Sequence, residues 1–313
     1  MRRITWVILV LPCLALGGSD GATPEPPGRM ELELLTKPGG ERAAFLPAEP
    51  IEARLLIRQG KDKTMPPQQL ALHIGQETIS EQMLFGPPRL RQNNGEEDQI
   101  LEYRFQIFVT PEHSKPDTMG VRYIFEKPGQ YPVWVEDKQS GQVTNRINVT
   151  IQSLDDEETQ RAFEAYKRME DVFLLVLDYA KARRTTGQEM DKFLEQFGSS
   201  PYAPFVRVAR GIQKIDELQT QLLQSKEDID KRRQSLAALA PYFEQALAAK
   251  PNSSVEYRAK YYLAMTKGWG KDYAAAHRLL NDLLASFPEW PKNENARRMI
   301  KEVEGHLDEG EVR

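Results

Sequence analysis

The chain of 313 residues contains almost no cysteine and little histidine, and both shortages limit its chemistry. It has one cysteine, Cys13, which excludes a disulfide framework and a zinc or iron–sulfur site built from several cysteines. The four histidines are widely spaced and form no His-x-x-x-His pair, so a zinc site on a helix has no support. They are His73, His113, His277 and His306. We therefore predict no metal ion and no other cofactor.

The sequence also lacks an excess of charge of either sign. Lysine and arginine together number 42 and the acidic residues 46, which leaves a net charge of −4. A protein that neutralises phosphates needs a basic surface stripe, so nucleic acid is not an expected partner. Common catalytic motifs have no support in their surroundings: the Gly-x-Ser-x-Gly run at residues 17–21 lies at the end of the apolar leader and follows no predicted strand, and residues 268–271 lack the spacing of a phosphate-binding loop. These observations favour a protein that is not an enzyme.

Long apolar runs are scarce, and the longest lies at the start of the chain, over residues 4–16. It follows Arg2 and Arg3 and precedes small residues, which is the order of a secretory signal peptide. As a helix it reaches only about 20 Å, less than the ~30 Å hydrocarbon layer of a membrane. We predict a signal peptide over residues 1–18, cleaved after Gly17 or Gly18, and a soluble protein exported to the periplasm or the cell exterior.

Cys13, near the end of this run, raises the alternative of a lipid anchor. A bacterial lipoprotein signal places its lipidated cysteine after a small residue, at the end of the apolar core. Here Pro12 precedes the cysteine, and the apolar run continues beyond it. We therefore expect Cys13 to be removed with the signal peptide, and membrane association only if Cys13 is lipidated.

The front half of the chain has a hydrophobic period of two. Residues 19–29 are rich in glycine and proline and are typical of a linker. Across residues 30–152, apolar and polar side chains alternate, as at 51–58 and 101–109, and half-buried strands produce this alternation. Pairs such as Asn94-Gly95 and Pro128-Gly129 mark turns between the runs. About seven short strands over this length predict one antiparallel β-sandwich.

Two segments of this half have the sequence pattern of a turn followed by a strand, and both resemble segments of a known domain family. Residues 123–135 place a Pro-Gly turn before a strand that begins with Tyr131, and residues 45–51 place a proline-containing turn before a strand. Both are similar to segments of bacterial immunoglobulin-like domains, in which the tyrosine packs at the corner of the sandwich. The resemblance implies an immunoglobulin-like β-sandwich over residues 30–152, without the Cys-Trp-Cys pin of antibody domains.

The rear half, residues 153–313, has a period of 3.6, which predicts helices. An apolar stripe runs from Ala162 to Ala180, and further helical segments follow at 188–197, 202–224, 228–249, 255–267, 272–286 and 292–307. Their short connections predict that neighbours pack antiparallel. Residues 253–288 resemble a tetratricopeptide repeat, and residues 193–211 resemble a divergent one. The resemblance implies an α-helical tetratricopeptide-like solenoid.

Aromatic side chains supply the candidate partner-binding residues, because large rings often anchor interfaces. Trp134 stands between Val133 and Val135 and is expected to point to the opposite face of their strand. Two more tryptophans lie in turns between helices, and two tyrosines lie in the repeat. These are Trp269, Trp290, Tyr257 and Tyr261. The simpler alternative is that the helical half covers Trp134 and that the other two tryptophans cap helix pairs.

The two halves together resemble envelope-associated bacterial proteins that join an immunoglobulin-like module to tetratricopeptide-like helices. This resemblance implies an exported, non-catalytic protein-interaction or scaffold protein of the cell envelope. A helical groove and the β-sandwich would bind its protein or peptide partner. The alternative is a carbohydrate-binding or hydrolytic cell-wall protein that uses Trp134 against a glycan.

Overall fold

The computed structural model describes residues 29–35, 44–59, 69–79, 89–92, 99–107, 109–112, 120–169, 187–224, 229–288 and 293–311. A region of antiparallel sheets comes first and a helical region follows, which confirms the predicted order. The predicted signal peptide with Cys13, and also Trp290, lie outside the described residues. Within the described ranges, no helix has the length and apolar character needed to cross a membrane.

The strands of the described residues form three antiparallel sheets. They are β1 Met30–Leu34, β2 Ile51–Gln59, β3 Leu70–Ile74, β4 Glu77–Ile79, β5 Arg89–Gln92, β6 Gln99–Ile107, β7 Val109–Glu112, β8 Gly120–Tyr123, β9 Gly129–Asp137, β10 Gln142–Val143 and β11 Ile147–Ile151. The first sheet has the order β1-β2-β6-β5; the second has the order β10-β9-β3-β4, with β11 also paired to β9; β7 and β8 pair separately. The alternation predicted about seven strands, fewer than the structure contains, because strands as short as β4 and β10 are too brief to show a period.

The two larger sheets share one apolar core. Ala53, Leu55 and Ile57 of β2 are buried on one face of the first sheet, and Leu72 and Val135 are buried on the facing side of the second. All five side chains belong to a single cluster. Because side chains alternate along a strand, the residues between them point away from this core and form the outer faces of the sheets.

A tyrosine side chain forms a hydrogen bond across the turn that leads into β9. Gly129 lies at a φ of +150°, a conformation that L side chains rarely adopt. Two residues later, Tyr131 donates a hydrogen bond from its hydroxyl to the Lys127 carbonyl at 2.8 Å. Its ring meets Phe125 edge-on, with 5.2 Å between the ring centres. The tyrosine therefore ties the start of the strand to the turn before it.

The helical region is a succession of packed helices. They are α1 Glu157–Arg168, α2 Gly187–Phe197, α3 Ala203–Gln224, α4 Ile229–Ala237, α5 Ala240–Ala248, α6 Ser253–Trp269, α7 Tyr273–Ser286 and α8 Asn293–Glu311. Helix α6 contacts α5 on one side and α7 on the other, and α8 packs on α7. Helix α6 is therefore central, and most of its side chains are covered.

Two predicted helix boundaries need correction. The single helix predicted at 228–249 is wrong, because α4 ends at Ala237 and α5 begins at Ala240. Pro241 stands in the first turn of α5, where its missing N–H costs nothing, but it cannot continue a helix from the preceding turn. The stripe predicted from Ala162 to Ala180 begins as expected in α1, but residues 170–186 lie outside the described part of the chain.

Candidate binding surface and the junction between the two regions

Trp134 lies on the outer face of the second sheet, in a row of four side chains that crosses it. His73 pairs with Trp134 on one neighbouring strand and with Thr78 on the next. The His73 and Trp134 rings stack 4.9 Å apart and 4° from parallel. The guanidinium carbon of Arg146 lies 4.6 Å from the centre of the Trp134 ring. We call these four residues, in the order Arg146, Trp134, His73 and Thr78, the aromatic row.

The aromatic row covers both faces of the indole. His73 lies on β3 and Arg146 directly precedes β11, and these strands flank β9 on opposite sides. The imidazole and the guanidinium therefore occupy opposite faces of the Trp134 ring. Trp134 itself is partly buried. A sugar ring needs a free aromatic face for stacking, and neither face is free.

Polar contacts hold His73 in place. Its Nε2 hydrogen-bonds Glu136 Oε2 at 2.8 Å, and its Nδ1 hydrogen-bonds Thr78 Oγ1 at 3.0 Å. A carboxylate only accepts, so Nε2 carries a proton in this arrangement. Both ring nitrogens are used, so the imidazole is fixed against the indole. Arg146 therefore stacks on an indole that a fixed imidazole also contacts.

Arg146 has no acidic partner within the described part of the chain, and the group it contacts there is the Trp134 ring. The preceding segment, residues 142–145, lines a cleft of about 300 Å³ together with the start of β1, and Arg146 is not part of that lining. The cleft is lined by Arg29, Met30, Gln142, Val143, Thr144 and Asn145. Val143 is 58% exposed, one of the few large apolar side chains of the described chain that faces solvent.

Tyr257 and Tyr261 lie in the core rather than on a groove surface. Both are on α6 and are only 2% and 8% exposed. They share an apolar cluster with Phe287 after α7 and with Leu35, which follows β1 of the sheet region. The Tyr257 and Phe287 rings meet edge-on at 5.6 Å. These tyrosines therefore present little surface to a partner, because the chain's own sheet region packs there.

Trp269 is the last residue of α6 and is partly buried against the main helical cluster. The next residue, Gly270, comes close to α4: a Cβ built on it would lie 3.3 Å from the Cβ of Ala237. Trp269 thus lies where the end of α6 meets α4. Like Trp134, it is partly buried.

Residues 45–52 form the junction between the two regions, and its apolar part belongs to the helical core. Leu46 and Ala48 are 4% and 1% exposed and cluster with Tyr166 of α1 and with Phe205 of α3. Ala48 has a φ of +53°, a left-handed conformation that is strained for a residue with a Cβ. Such strain persists only where surrounding contacts impose it. The junction is therefore a packed part of the fold and not a loose linker.

A buried carboxylate, Glu49, connects the junction to α6. Glu49 is 1% exposed, and one of its oxygens accepts the Leu46 backbone N–H at 2.6 Å. The other oxygen accepts a hydrogen bond from the side-chain amide of Asn252, the residue that caps α6. Asn252 in turn accepts the Val255 N–H at 2.8 Å. One chain of hydrogen bonds thus links the turn before β2 to the start of a central helix.

A second buried carboxylate, Glu52 of β2, forms an ion pair with α6. Glu52 is 5% exposed, and Arg258 Nη2 donates to its Oε1 at 3.1 Å. The same oxygen accepts from the Gln106 side chain and from Ser254 Oγ. Arg258, itself 8% exposed, also donates to Ser254 Oγ at 2.7 Å. A buried charge needs such partners, and here each region supplies part of the set.

Buried tyrosine hydroxyls complete the junction. Tyr202, the residue before α3, donates its hydroxyl hydrogen to the Pro47 carbonyl at 3.1 Å. Burial, with the nearby charge of Glu49, raises the pKa of Tyr202. Burial also raises the pKa of Tyr166 well above its ordinary value, and the neighbouring Tyr123, Tyr202 and Glu49 add to the effect. These hydroxyls therefore ionise less readily in the folded chain than in the unfolded chain.

The sequence pattern did not reveal the polar part of the junction. Glu52 occupies an alternating polar position of β2, and that pattern predicted a solvent-facing side chain. Arg258 lies in the repeat and Glu49 in a turn, and neither position distinguishes a buried charge from an exposed one. Only Asn252 carried a local signal, since asparagine before a helix is a typical N-cap.

No protein-family model matches the sequence, and no curated protein matches it either. Across the residues that the structure describes, no three or more histidine, cysteine or acidic side chains come together as a set of metal ligands. The candidate surfaces are therefore interpreted from their own contacts.

Proposed function

We propose that the protein is an exported, non-catalytic scaffold or protein-interaction protein of the cell envelope. It combines an immunoglobulin-like β-sandwich with a tetratricopeptide-like helical solenoid. The turn tied by Tyr131 supports the first assignment, and the successive packed helices α6 to α8 support the second. The proposed leader over residues 1–18 accounts for export.

The junction is the observation that carries this proposal. Ion pairs, hydrogen bonds and apolar packing join the two regions through Glu49, Glu52, Asn252 and Arg258. A scaffold benefits from such a joint because binding surfaces held in a fixed relative orientation lose less entropy when a partner binds. The helical face that contains Tyr257 is occupied from within, so we place partner binding on the outer face of the second sheet.

The carbohydrate-binding or hydrolytic alternative depends on a free face of Trp134. Because His73 and Arg146 stack on the two faces of the indole, the structure favours a protein or peptide partner over a glycan at this position. A glycan array with the purified full-length chain tests the alternative. Saturable glycan binding that disappears in a folded Trp134→Ala variant would replace our proposal.

Photo-crosslinking in the producing cell tests the proposal directly. A crosslinking amino acid is placed at Asn148, on the outer face of the second sheet, or at Arg278, on the exposed side of α7. We expect one protein to be captured repeatedly from Asn148 and not from Arg278, and then to bind the purified chain. Failure to capture any protein from either position, or turnover of a cell-wall glycan by the chain, would contradict a non-catalytic scaffold.

Spin labels test the fixed joint separately. In a Cys13→Ser background, cysteines at Asn148 and Arg278 carry the labels, and pulsed electron resonance measures the distances between them. We expect one narrow distribution, and a broader one in the Glu49→Ala variant, which removes a link to α6. A broad distribution in the parent chain would show two freely moving regions and would remove the basis of the scaffold proposal.

A further inference from the structure

We propose that the outer edge of β1 is a strand-addition site, which the Asn145 side chain occupies in the unbound protein and which an extended, uncharged peptide takes over. The inference goes beyond the proposed function, because it concerns the edge of the first sheet and not the outer face of the second. It is supported by outward-facing backbone groups, by a side-chain amide bound to them and by a nearly uncharged cleft beside them.

Strand β1 forms one edge of the first sheet, and its backbone groups point alternately toward β2 and away from it. The Arg29 carbonyl accepts a hydrogen bond from β2 at 3.0 Å, and the Leu35 N–H donates one to β2 at 2.8 Å. These bonds assign the odd-numbered residues to the β2 side. Met30, Leu32 and Leu34 therefore direct their N–H and C=O groups to the outer edge, where no strand of the described chain pairs with them.

The Asn145 side chain shows that this edge accepts a peptide-like group. Its carbonyl oxygen accepts the Leu32 N–H at 2.8 Å, and its amide nitrogen donates to the Leu32 carbonyl at 3.0 Å. In an antiparallel sheet, one residue of a neighbouring strand forms this same pair of bonds. The side-chain amide of Asn145 therefore takes the place of a strand residue and protects the edge from pairing with other chains.

The cleft beside Met30 provides room for a strand. It has a volume of about 300 Å³, which suits a few residues of an extended peptide. Arg29, the charged residue of its lining, already interacts within the protein. The other lining residues are uncharged; they are Met30, Gln142, Val143, Thr144 and Asn145. Val143 is largely exposed and offers an apolar contact, so a peptide that alternates apolar and uncharged polar residues matches this lining.

A second copy of the chain suits this edge less well. If two β1 strands paired antiparallel about Leu32, Glu31 of one copy would lie opposite Glu33 of the other. Like charges directly opposite each other destabilise a pair of strands. We therefore assign the edge to an extended segment of another protein, which pairs through its backbone as peptides do at other exposed sheet edges.

Anisotropy with fluorescein-labelled peptides tests strand addition to the full-length chain. The probe is a short peptide that alternates Val and Thr and has blocked ends. Two further peptides carry N-methyl groups, one on the Val nitrogens and one on the Thr nitrogens, so that each lacks the N–H donors of one strand edge. We expect exactly one methylated peptide to bind at least about tenfold more weakly than the probe, because it loses two or more backbone hydrogen bonds.

Three results with these peptides would overturn the proposal. Equal binding of all three peptides would show that their backbone N–H groups are not used. Loss of binding in both methylated forms would assign the effect to the conformation of the peptide and not to one paired edge. Absence of saturable binding would show that the edge takes no added strand.

Asn145→Ala should bind the probe about tenfold more tightly than the parent chain does, because the peptide no longer has to displace two hydrogen bonds. Asn148→Ala removes an exposed asparagine of β11 and is the matched control, with binding equal to that of the parent chain. Unchanged or weaker binding by Asn145→Ala would overturn the proposal. Dimerisation of this variant in light scattering, without peptide binding, would also do so, because it would identify a second copy as the occupant.

Two variants at Met30 test the edge from the side of the protein. Both lose the buried Met30 side chain, but Met30→Pro also removes the outward N–H, which Met30→Ala keeps. Met30→Pro should bind the probe at least about fivefold more weakly than Met30→Ala. Circular dichroism checks that both variants are folded; if either is not, the methylated peptides and Asn145→Ala decide. Equal binding by the two folded variants would contradict pairing at this edge.

Discussion

Two arginines of this protein have opposite surroundings. Arg258, on the central helix α6, is 8% exposed and is ion-paired with Glu52 of the sheet region. Arg146, on the outer face of the second sheet, is exposed and stacks on an indole, with no acidic partner in the described part of the chain. Burial is what separates them: a buried guanidinium must find its anion within the protein, whereas an exposed one is able to meet an anion from outside.

Charged side chains have different roles at the junction and on the outer face of the second sheet. At the junction, charged side chains pair with each other inside the protein, and removing one leaves its partner buried and unpaired. On the sheet surface, removing a charge leaves the fold intact but changes what the surface attracts. Variants that alter stability without binding, and binding without stability, therefore distinguish the two roles.

The largest expected effect concerns the buried pair. Glu52→Ala or Arg258→Ala alone should each lower the free energy of unfolding by about 3–5 kcal/mol, because each leaves a buried charge without its partner. The double variant should cost less than the sum of the two, with a coupling of up to about 3 kcal/mol. Urea denaturation at neutral pH measures all four chains. Strict additivity would contradict an interaction between the two residues.

Alkaline pH should weaken the fold through its buried tyrosines. Burial, with the charge of Asp137, raises the pKa of Tyr103 to about 12 from 10.0. Above pH 10 the unfolded chain releases this proton while the folded chain keeps it, so stability present below pH 10 is lost as the pH rises toward 12. The loss amounts to at most about 3 kcal/mol for this residue.

Urea midpoints at several values between pH 9 and pH 11.5 measure this effect. Tyr103→Phe should flatten the decline above pH 10, and so should Tyr202→Phe at the junction, because neither variant has that hydroxyl to ionise. The same decline in both variants as in the parent chain would contradict the assignment.

A glycine in the helical core offers a steric test. A Cβ at Gly211 of α3 would lie 2.7 Å from a ring carbon of Phe243 on α5, so Gly211→Ala should destabilise the protein by about 1–3 kcal/mol. Gly305 of α8 is the matched control, because a Cβ there meets nothing within 4 Å. Gly305→Ala should stabilise the protein by about 0.5–1 kcal/mol through helix propensity. Equal thermal shifts in the two variants would contradict the close packing of α3 and α5.

A smaller effect is expected at Lys250, an exposed residue with a φ of +50° after α5. Lys250→Gly should stabilise the protein by up to about 1 kcal/mol, because glycine adopts this left-handed conformation without strain. Lys250→Ala keeps the Cβ and serves as the control, with little gain expected. Thermal unfolding of the three chains checks the difference, and an equal gain in both variants would argue against a conformational cause.

The smallest effect on stability should come from Arg146. Within the part of the chain that the structure describes, Arg146→Gln loses an exposed cation–π contact and no ion pair, so the free energy of unfolding should change by less than about 1 kcal/mol. Arg258→Gln, with the same chemical change in a buried position, should cost several times more. Comparable losses in the two variants, measured by urea denaturation, would remove the distinction between a buried structural arginine and an exposed surface arginine.

Patterns of apolar residues predicted much of the architecture. Alternation placed Leu55 and Val135 in the core of the sheets, and the helical period placed Phe163 and Tyr166 on the buried face of α1. The helical period also joined α4 and α5 into one helix, because it gave Pro241 too little weight. The periodicity of a sequence shows which face of a helix or strand is apolar. It therefore predicts buried faces well and helix ends poorly.

The candidate residues were harder to predict. The aromatic side chains of Trp134 and Tyr257 looked equally suited to binding, yet Trp134 is partly exposed on the outer face of the second sheet and Tyr257 is buried in a cluster that includes Leu35. A helical period identifies the apolar face of α6 but not what covers it, and here the chain's own sheet region does. Contacts between residues more than 200 positions apart, such as Asn252 with Glu49, leave no trace in local spacing.

Local order followed from the chain itself: strands came from alternating apolar residues, helices from a period of 3.6, and several element ends from proline, glycine and Asn252. These features depend on neighbours within a few positions, so they can be read without knowing the fold. The burial of Glu52, the occupation of the Tyr257 face and the enclosure of Trp134 by His73 and Arg146 arose only when distant segments met. Desolvation and pairing depend on every group around a side chain, and those groups are set by tertiary packing.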